Sequence, residues 1–73
     1  MIGIGFVAYS KDVRVAALQA IDGDNVETLG SIIDRVCVSP YDGYKKGKLA
    51  LALARSRRAL QRGNIRKAIG ELL

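Results

Sequence analysis

The chain of 73 residues is 49% hydrophobic and carries a formal net charge of +5, with no histidine and a single cysteine. A chain of this length forms one domain (1–73) and buries only about 60% of its unfolded surface, so its core is small. Lack of histidine removes the commonest general base and metal ligand, so we expect neither an enzyme nor a bound cofactor. The lone Cys37 excludes an internal disulfide and is typical of a reducing compartment, so we expect a cytoplasmic protein.

The charges are divided unevenly along the chain. Residues 1–44 carry three basic and six acidic side chains (net −3), whereas residues 45–73 carry nine basic and one acidic (net +8). Such a cationic segment predicts a surface that faces a polyanion. The alternative is a solvated helix face, although such a face normally interleaves Glu with Lys. No segment approaches the roughly 18 apolar residues that span a bilayer, and the apolar start lacks a basic flank, so we expect no membrane partner.

The first predicted element is a short strand over residues 2–9. This segment is apolar, rich in β-branched residues and interrupted by Gly3 and Gly5, which favours an irregular edge strand over a helix. Pairing with the same strand of a second copy would satisfy its backbone, so a homodimer is one hypothesis. Ser10 is then expected to cap a first helix that ends at residues 22–24.

A second helix is predicted over residues 25–37. Asp24 and Glu27 resemble a capping box at its start, and we interpret them as caps because a calcium loop needs more oxygen ligands. Its apolar stripe includes Cys37, which we expect in the core. Pro40 forbids continuation of the helix, and residues 41–43 have turn chemistry.

The third helix, over about residues 45–62, has two distinct faces. At 100° per residue one arc is apolar and small, and a second arc is basic, whereas Arg57 projects elsewhere. The apolar arc contains Leu49, Ala52, Leu53, Ser56, Ala59 and Leu60, and the basic arc contains Lys48, Arg55, Arg58 and Arg62. Gly63 suits the end of this helix, and Asn64 can cap a short final helix.

The end of the chain resembles two known helical motifs. Ala59, Gly63, Ile69 and Leu72 resemble the helix-turn-helix DNA-binding motif. The chain departs from that family at three positions where apolar residues usually face the core, namely Arg58, Arg62 and Asn64. The same stretch is similar to one helical hairpin of the tetratricopeptide type, and a plain αα-hairpin accounts for it equally well. No internal repeat is visible. The predicted fold class is therefore mainly α (α-rich α+β), with a short N-terminal strand, three or four helices and a C-terminal αα-hairpin.

In size and charge distribution, the whole chain resembles small phage-encoded proteins that modify host transcription. The resemblance implies a host RNA polymerase as partner and no cofactor, and it transfers no site residue. The first functional hypothesis is thus a non-enzymatic regulator that binds a nucleic-acid machine such as RNA polymerase. The second is a sequence-reading DNA-binding protein that uses residues 55–73. The third is a structural or oligomerisation module with a solvated basic face.

The candidate partner-binding residues are the cations of the C-terminal segment and two tyrosines. The tyrosines, Tyr41 and Tyr44, could anchor an interface or stack on bases, the alternative being that they cover the edge of the core. The binding cations, whose partner is DNA, RNA or an acidic protein surface, are Lys45, Lys46, Lys48, Arg55, Arg58, Arg62, Arg66 and Lys67.

Overall fold

Four helices make up almost all of the structure. The structure, a computed structural model, describes residues 2–39 and 43–73, with the side chains of residues 7–39 and 43–73. The helices are α1 (Ile2–Asp22), α2 (Val26–Cys37), α3 (Tyr44–Gln61) and α4 (Ile65–Leu72). The mainly α prediction is confirmed, α2 and α3 begin and end within a residue of their predicted bounds, and α4 begins directly after the predicted cap at Asn64. Of the predicted turn at residues 41–43, residues 41 and 42 lie outside the described residues, as does Pro40.

The predicted N-terminal strand is wrong, because residues 2–9 lie in the first half of α1. A single strand among helices would leave its backbone N–H and C=O groups without partners, whereas a helix pairs them within the segment. That requirement outweighs the β propensity of the segment, which is a weak prior. Ser10 therefore lies within α1 and caps nothing. The hypothesis of a homodimer paired through this strand therefore loses its basis, because the described part of the chain contains no strand.

The turns that join α1 to α2 and α3 to α4 are built alike. In the first, the backbone N–H of Asn25 donates to the carbonyl oxygen of Ala20 at 2.8 Å. In the second, the N–H of Asn64 donates to the oxygen of Ala59 at 2.9 Å. The residue before each asparagine has a positive φ, which is 53° at Asp24 and 78° at Gly63.

Each of these asparagines caps the helix that follows it. The Oδ1 atom of Asn25 accepts from the N–H of Thr28 at 3.0 Å, and that of Asn64 accepts from the N–H of Lys67 at 3.1 Å. An asparagine cap of this kind stabilises a helix by about 1 kcal/mol. The prediction for Asn64 is confirmed, whereas the cap of α2 is Asn25 rather than Asp24.

The helical hairpin thus occurs twice, although no repeat is visible in the sequence. At the register that aligns Asn25 with Asn64, Ala20 and Ala59 are the only other identical pair within the two hairpins. The two hairpins share buried residues at matching positions, and the pattern of apolar residues in the sequence alone does not reveal this. Five aligned pairs are buried in both hairpins: Ala17 and Ser56, Ala20 and Ala59, Ile21 and Leu60, Leu29 and Ala68, and Ile33 and Leu72.

One core joins the four helices. Each helix packs against the next along the chain, and α1 also contacts α4, which closes the bundle. The predicted apolar arc of α3 is confirmed at five of its six positions, and Ala52 is half-buried. The buried apolar residues are Val13, Ala17, Ala20, Ile21, Leu29, Ile32, Ile33, Val36, Leu49, Leu53, Ala59, Leu60, Ala68 and Leu72.

Cys37 does not belong to this core, and the prediction that it does is wrong. Its side chain is exposed, whereas its neighbour Val36 is fully buried. Successive residues on a helix lie about 100° apart. Because Val36 faces the core, the side chain of Cys37 points toward the edge of the apolar stripe of α2. Cys37 is also the last residue of α2, where no further turn shields it.

A buried hydrogen bond ties α3 to α4. The hydroxyl of Ser56, which has no exposed surface, donates to the carbonyl oxygen of Ala68 at 2.7 Å. We expect Ser56→Ala to lower the free energy of unfolding by about 1–2 kcal/mol, because the bond is lost inside the core. Urea denaturation measures this, with exposed Ser31→Ala as the matched control. A change below about 0.5 kcal/mol, as at an ordinary surface position, would contradict this role of the hydroxyl.

Two glycines on α3 and at its end should respond to alanine with opposite signs. A Cβ at Gly63 or Gly47 would meet no atom within 4 Å, so neither change creates a clash. Gly63→Ala should destabilise by about 1–2 kcal/mol, because a φ of 78° is strained for an L residue. Gly47→Ala, within α3, should stabilise by about 0.5–1 kcal/mol through helix propensity. Thermal unfolding measures both variants, and shifts of the same sign would contradict the assigned turn geometry.

Candidate polyanion-binding cleft

Helix α3 presents one buried face and one basic face. Lys48, Arg55, Arg58 and Arg62 all have exposed side chains, as the helical periodicity predicts. Arg57 is half-buried and points toward α2, where its Nη1 atom lies 3.6 Å from the position that a Cβ on Gly30 would occupy. The predicted separation of Arg57 from the basic arc is therefore confirmed.

Three of these arginines line a cleft between α3 and α4. The cleft has a volume of about 450 Å³, and Lys67 of α4 adds a fourth cation to Arg55, Arg58 and Arg62. Glu71 is the one acidic side chain among the described residues that line it. No ion pair neutralises the four cations within the part of the chain that the structure describes. We call this feature, defined by these four cations, the cationic cleft.

The turn between the helices positions the two sides of the cationic cleft. Gly63 reverses the chain, and the Asn64 cap fixes the first turn of α4 through the backbone N–H of Lys67. Four residues after Asn64, the hydrogen bond from Ser56 to the carbonyl oxygen of Ala68 holds α4 against α3. The cations therefore stand on two helices whose relative placement is set by buried and backbone contacts, so little ordering of the backbone is needed when a ligand binds.

Lys48 belongs to a different part of the surface from the three arginines. Its Nζ lies 5.3 Å from the centroid of the Tyr44 ring, a cation–π contact, and it does not line the cationic cleft. The basic arc predicted from the sequence is therefore divided in the structure. Tyr44 is 77% exposed, so it does not cover the core edge, and Tyr41 lies outside the described residues.

The remaining predicted cations are scattered around the bundle. Lys46 is half-buried, and its Nζ donates to the carbonyl oxygen of Ser39 at 3.1 Å, just beyond the end of α2. A cation there stabilises the carbonyl end of that helix, which gives Lys46 a structural contact that its sequence position did not reveal. Lys45 is exposed on another groove, and Arg66 is exposed on α4 outside the cationic cleft.

No family model, curated protein or solved structure matches the chain. Within the described residues, no three histidine, cysteine or acidic side chains are grouped so as to hold a metal ion. None of the helices, over the same residues, has the length and apolar character needed to cross a membrane. The four-helix bundle and the cationic cleft are therefore the features from which a function can be argued.

Proposed function

We propose that this protein is a small non-enzymatic regulator that binds a nucleic-acid machine, such as RNA polymerase, through its cationic cleft. The observation that carries the proposal is the convergence of Arg55, Arg58, Arg62 and Lys67 from two helices without an ion-pairing carboxylate in the described structure. Cations placed for solubility alone are normally interleaved with acidic side chains. Three of the four are arginines, which contact phosphate bidentately.

The spacing of the arginines suits a phosphate backbone. Arg55 and Arg62 are seven positions apart, which is about 10 Å along the helix axis. A strand of duplex DNA presents one phosphate per about 3.4 Å of axis, so this length faces about three phosphates. The row of three arginines therefore matches a short run of backbone in number as well as in sign.

A sequence-reading DNA-binding protein is the second candidate. It is supported by the three-residue turn before α4 and by the exposed polar side chains of Asn64, Arg66 and Lys67 at the start of that helix. A reader of this kind should bind its own site at least about a thousandfold more tightly than unrelated DNA. Salt-sensitive binding without sequence preference would contradict this candidate and agree with backbone recognition.

A pull-down from lysate with and without nuclease tests the proposed function. The tagged protein should retain a polymerase or ribosomal subunit after nuclease treatment, because the proposed partner is the assembled machine, including the nucleic acid that it shields from nuclease, rather than free nucleic acid. A variant with Arg55, Arg58 and Arg62 changed to Glu is the matched control and should retain much less. Loss of every partner on nuclease treatment would contradict the regulator and indicate direct binding to nucleic acid.

A further inference from the structure

A second surface lies between α1, the start of α3 and the end of α4, where an open groove has a volume of about 580 Å³. The buried side chains of Leu49 and Leu72 line it, together with Val7, Val15 and Leu18 of α1. Val7 and Val15 are 61% and 48% exposed, so apolar surface faces solvent here. Contiguous exposed apolar surface marks binding sites more often than chance. We call this feature the apolar groove.

Four cations also line the apolar groove. Lys11 and Arg14 lie on α1, and Lys45 and Lys48 lie on α3. None of the described side chains that line the groove is acidic. Lys11, Arg14 and Lys45 make no ion pair within the described residues. The groove thus combines apolar and cationic side chains on both α1 and α3.

This arrangement fits a helix better than a small anionic molecule. From Val7 to Leu18 the groove follows α1 for eleven positions, about 16 Å, which is the length of about three helical turns. It is open to solvent along its length, whereas pockets for small molecules enclose most of the ligand surface. A single carboxylate would neutralise one of the four cations and leave the others unmatched.

A second copy of this chain does not have the complementary surface. Each copy carries a net charge of +5, and two facing grooves would oppose cation to cation. The acidic helix of the chain, α2, offers no exposed apolar stripe, because its apolar residues Leu29, Ile32 and Val36 are buried in the core. The occupant that complements both the apolar and the cationic side chains of the groove is therefore a different chain.

We infer that the apolar groove binds an acidic amphipathic helix of a partner protein, with the apolar stripe of that helix against Val7, Val15 and Leu18 and its carboxylates against the four cations of the groove. Helices that bind in grooves use apolar residues at i, i+3, i+4 and i+7. The inference goes beyond the proposed function, because it assigns a protein-binding surface that does not depend on the cationic cleft.

Fluorescence anisotropy with a labelled model peptide tests the inference. The probe is a peptide of about 18 residues with leucine at i, i+3, i+4 and i+7 and glutamate on both flanks, and its control has lysine in place of glutamate. The protein should bind the acidic peptide and bind the basic one at least about tenfold more weakly. Equal binding of both peptides, or no binding of either, would overturn the inference.

Two variants locate the binding site. Lys11→Glu/Arg14→Glu/Lys45→Glu, the groove-reversal variant, changes three exposed side chains and should weaken acidic-peptide binding by about a hundredfold. Val7→Ser/Val15→Ser removes apolar surface without changing charge and should weaken it by about tenfold. Both variants must give the wild-type circular dichroism spectrum. Arg55→Glu/Arg58→Glu/Arg62→Glu, the cleft-reversal variant, should leave peptide binding within about threefold of wild type.

The remaining outcomes are decisive as well. Loss of peptide binding in the cleft-reversal variant alone would overturn the groove as the site, whatever becomes of nucleic-acid binding. Displacement of the peptide by an equimolar short fatty acid, decanoate, would overturn the helix in favour of a small amphiphile. Sedimentation as a dimer in wild type and as a monomer in the Val7→Ser/Val15→Ser variant would overturn it in favour of self-association. Failure of the nuclease-treated pull-down would leave the peptide result intact, so the two proposals fail separately.

Discussion

The cleft-reversal variant should lose nucleic-acid binding by about a hundredfold or more while it keeps the fold. Each of the three arginines that it changes is exposed and without an ion-pairing partner in the described structure, so none is needed for packing. Each charge-assisted contact to phosphate contributes about 1 kcal/mol or more, and reversal replaces attraction by repulsion. Binding of a labelled single-stranded or duplex oligonucleotide at several salt concentrations measures the loss.

The salt dependence makes this prediction quantitative. Four phosphate contacts predict a slope of log K against log salt of about −3 to −4, and removal of three should reduce it to about −1. The groove-reversal variant is the matched control, because it changes net charge by the same amount on another surface and should retain most of the binding. Equal losses in the two variants would show that net charge, rather than the cationic cleft, determines affinity.

A neutral variant separates binding from helix electrostatics. Arg58 and Arg62 lie at the C-terminal end of α3, where cations interact favourably with the helix dipole. Glutamate there opposes the dipole and costs up to about 1 kcal/mol per site. Arg55→Gln/Arg58→Gln/Arg62→Gln avoids that repulsion and should still lose most nucleic-acid binding. Retention of wild-type affinity in this folded variant would contradict the cationic cleft as a binding site and indicate that the arginines only form a solvated helix face.

Leu53→Ala should destabilise the protein more than Ser56→Ala or Gly63→Ala. Leu53 has no exposed surface and is one of the largest fully buried side chains of the protein. Large-to-small changes at such positions cost about 2–5 kcal/mol, because a cavity remains where the side chain was. At about 0.05–0.15 kcal/mol per residue, the whole domain has only about 4–11 kcal/mol of stability. Leu53→Ala should therefore remove a large share of the stability of the domain.

Urea and thermal denaturation measure this effect against a neighbour on the same helix. Leu51 is 51% exposed, so Leu51→Ala should change the free energy of unfolding by less than about 0.5 kcal/mol. A small destabilisation by Leu53→Ala, or equal destabilisation at both positions, would contradict the orientation of α3 about its axis, which buries Leu53 and exposes Leu51. The same orientation places the arginines on the surface, so this pair of variants also tests the basis of the cationic cleft.

Helical periodicity and capping chemistry are sufficient to predict most of the fold. The apolar arc of α3 and the cap at Asn64 follow from a spacing of 3.6 residues and from the need to satisfy the first N–H groups of a helix. The strand prediction for residues 2–9 is wrong because local composition does not show whether a second strand exists to pair with it. The core prediction for Cys37 is wrong because this residue lies at the edge of the stripe of α2, where one position decides between core and solvent.

The candidate site is only partly predictable from the sequence. Periodicity brings Arg55, Arg58 and Arg62 together because they share one helix. It cannot bring Lys67 to them, because that contact depends on how α4 folds back across the turn after α3. Nor can it separate Lys48 from the arginines or show that the Lys46 ammonium binds a carbonyl oxygen at the end of α2. These are relations between elements, and they depend on packing rather than on local pattern.

NMR titration of the 15N-labelled protein with a short oligonucleotide tests the cationic cleft most directly. Backbone amide and arginine side-chain signals report, residue by residue, which surface the nucleic acid contacts in the intact protein. The largest shifts should fall on Arg55, Arg58, Arg62 and Lys67, with Asn64 between them, and they should diminish as salt is raised. Shifts concentrated on α2 or along the apolar groove, or no shifts at low salt, would contradict the cationic cleft as the binding site.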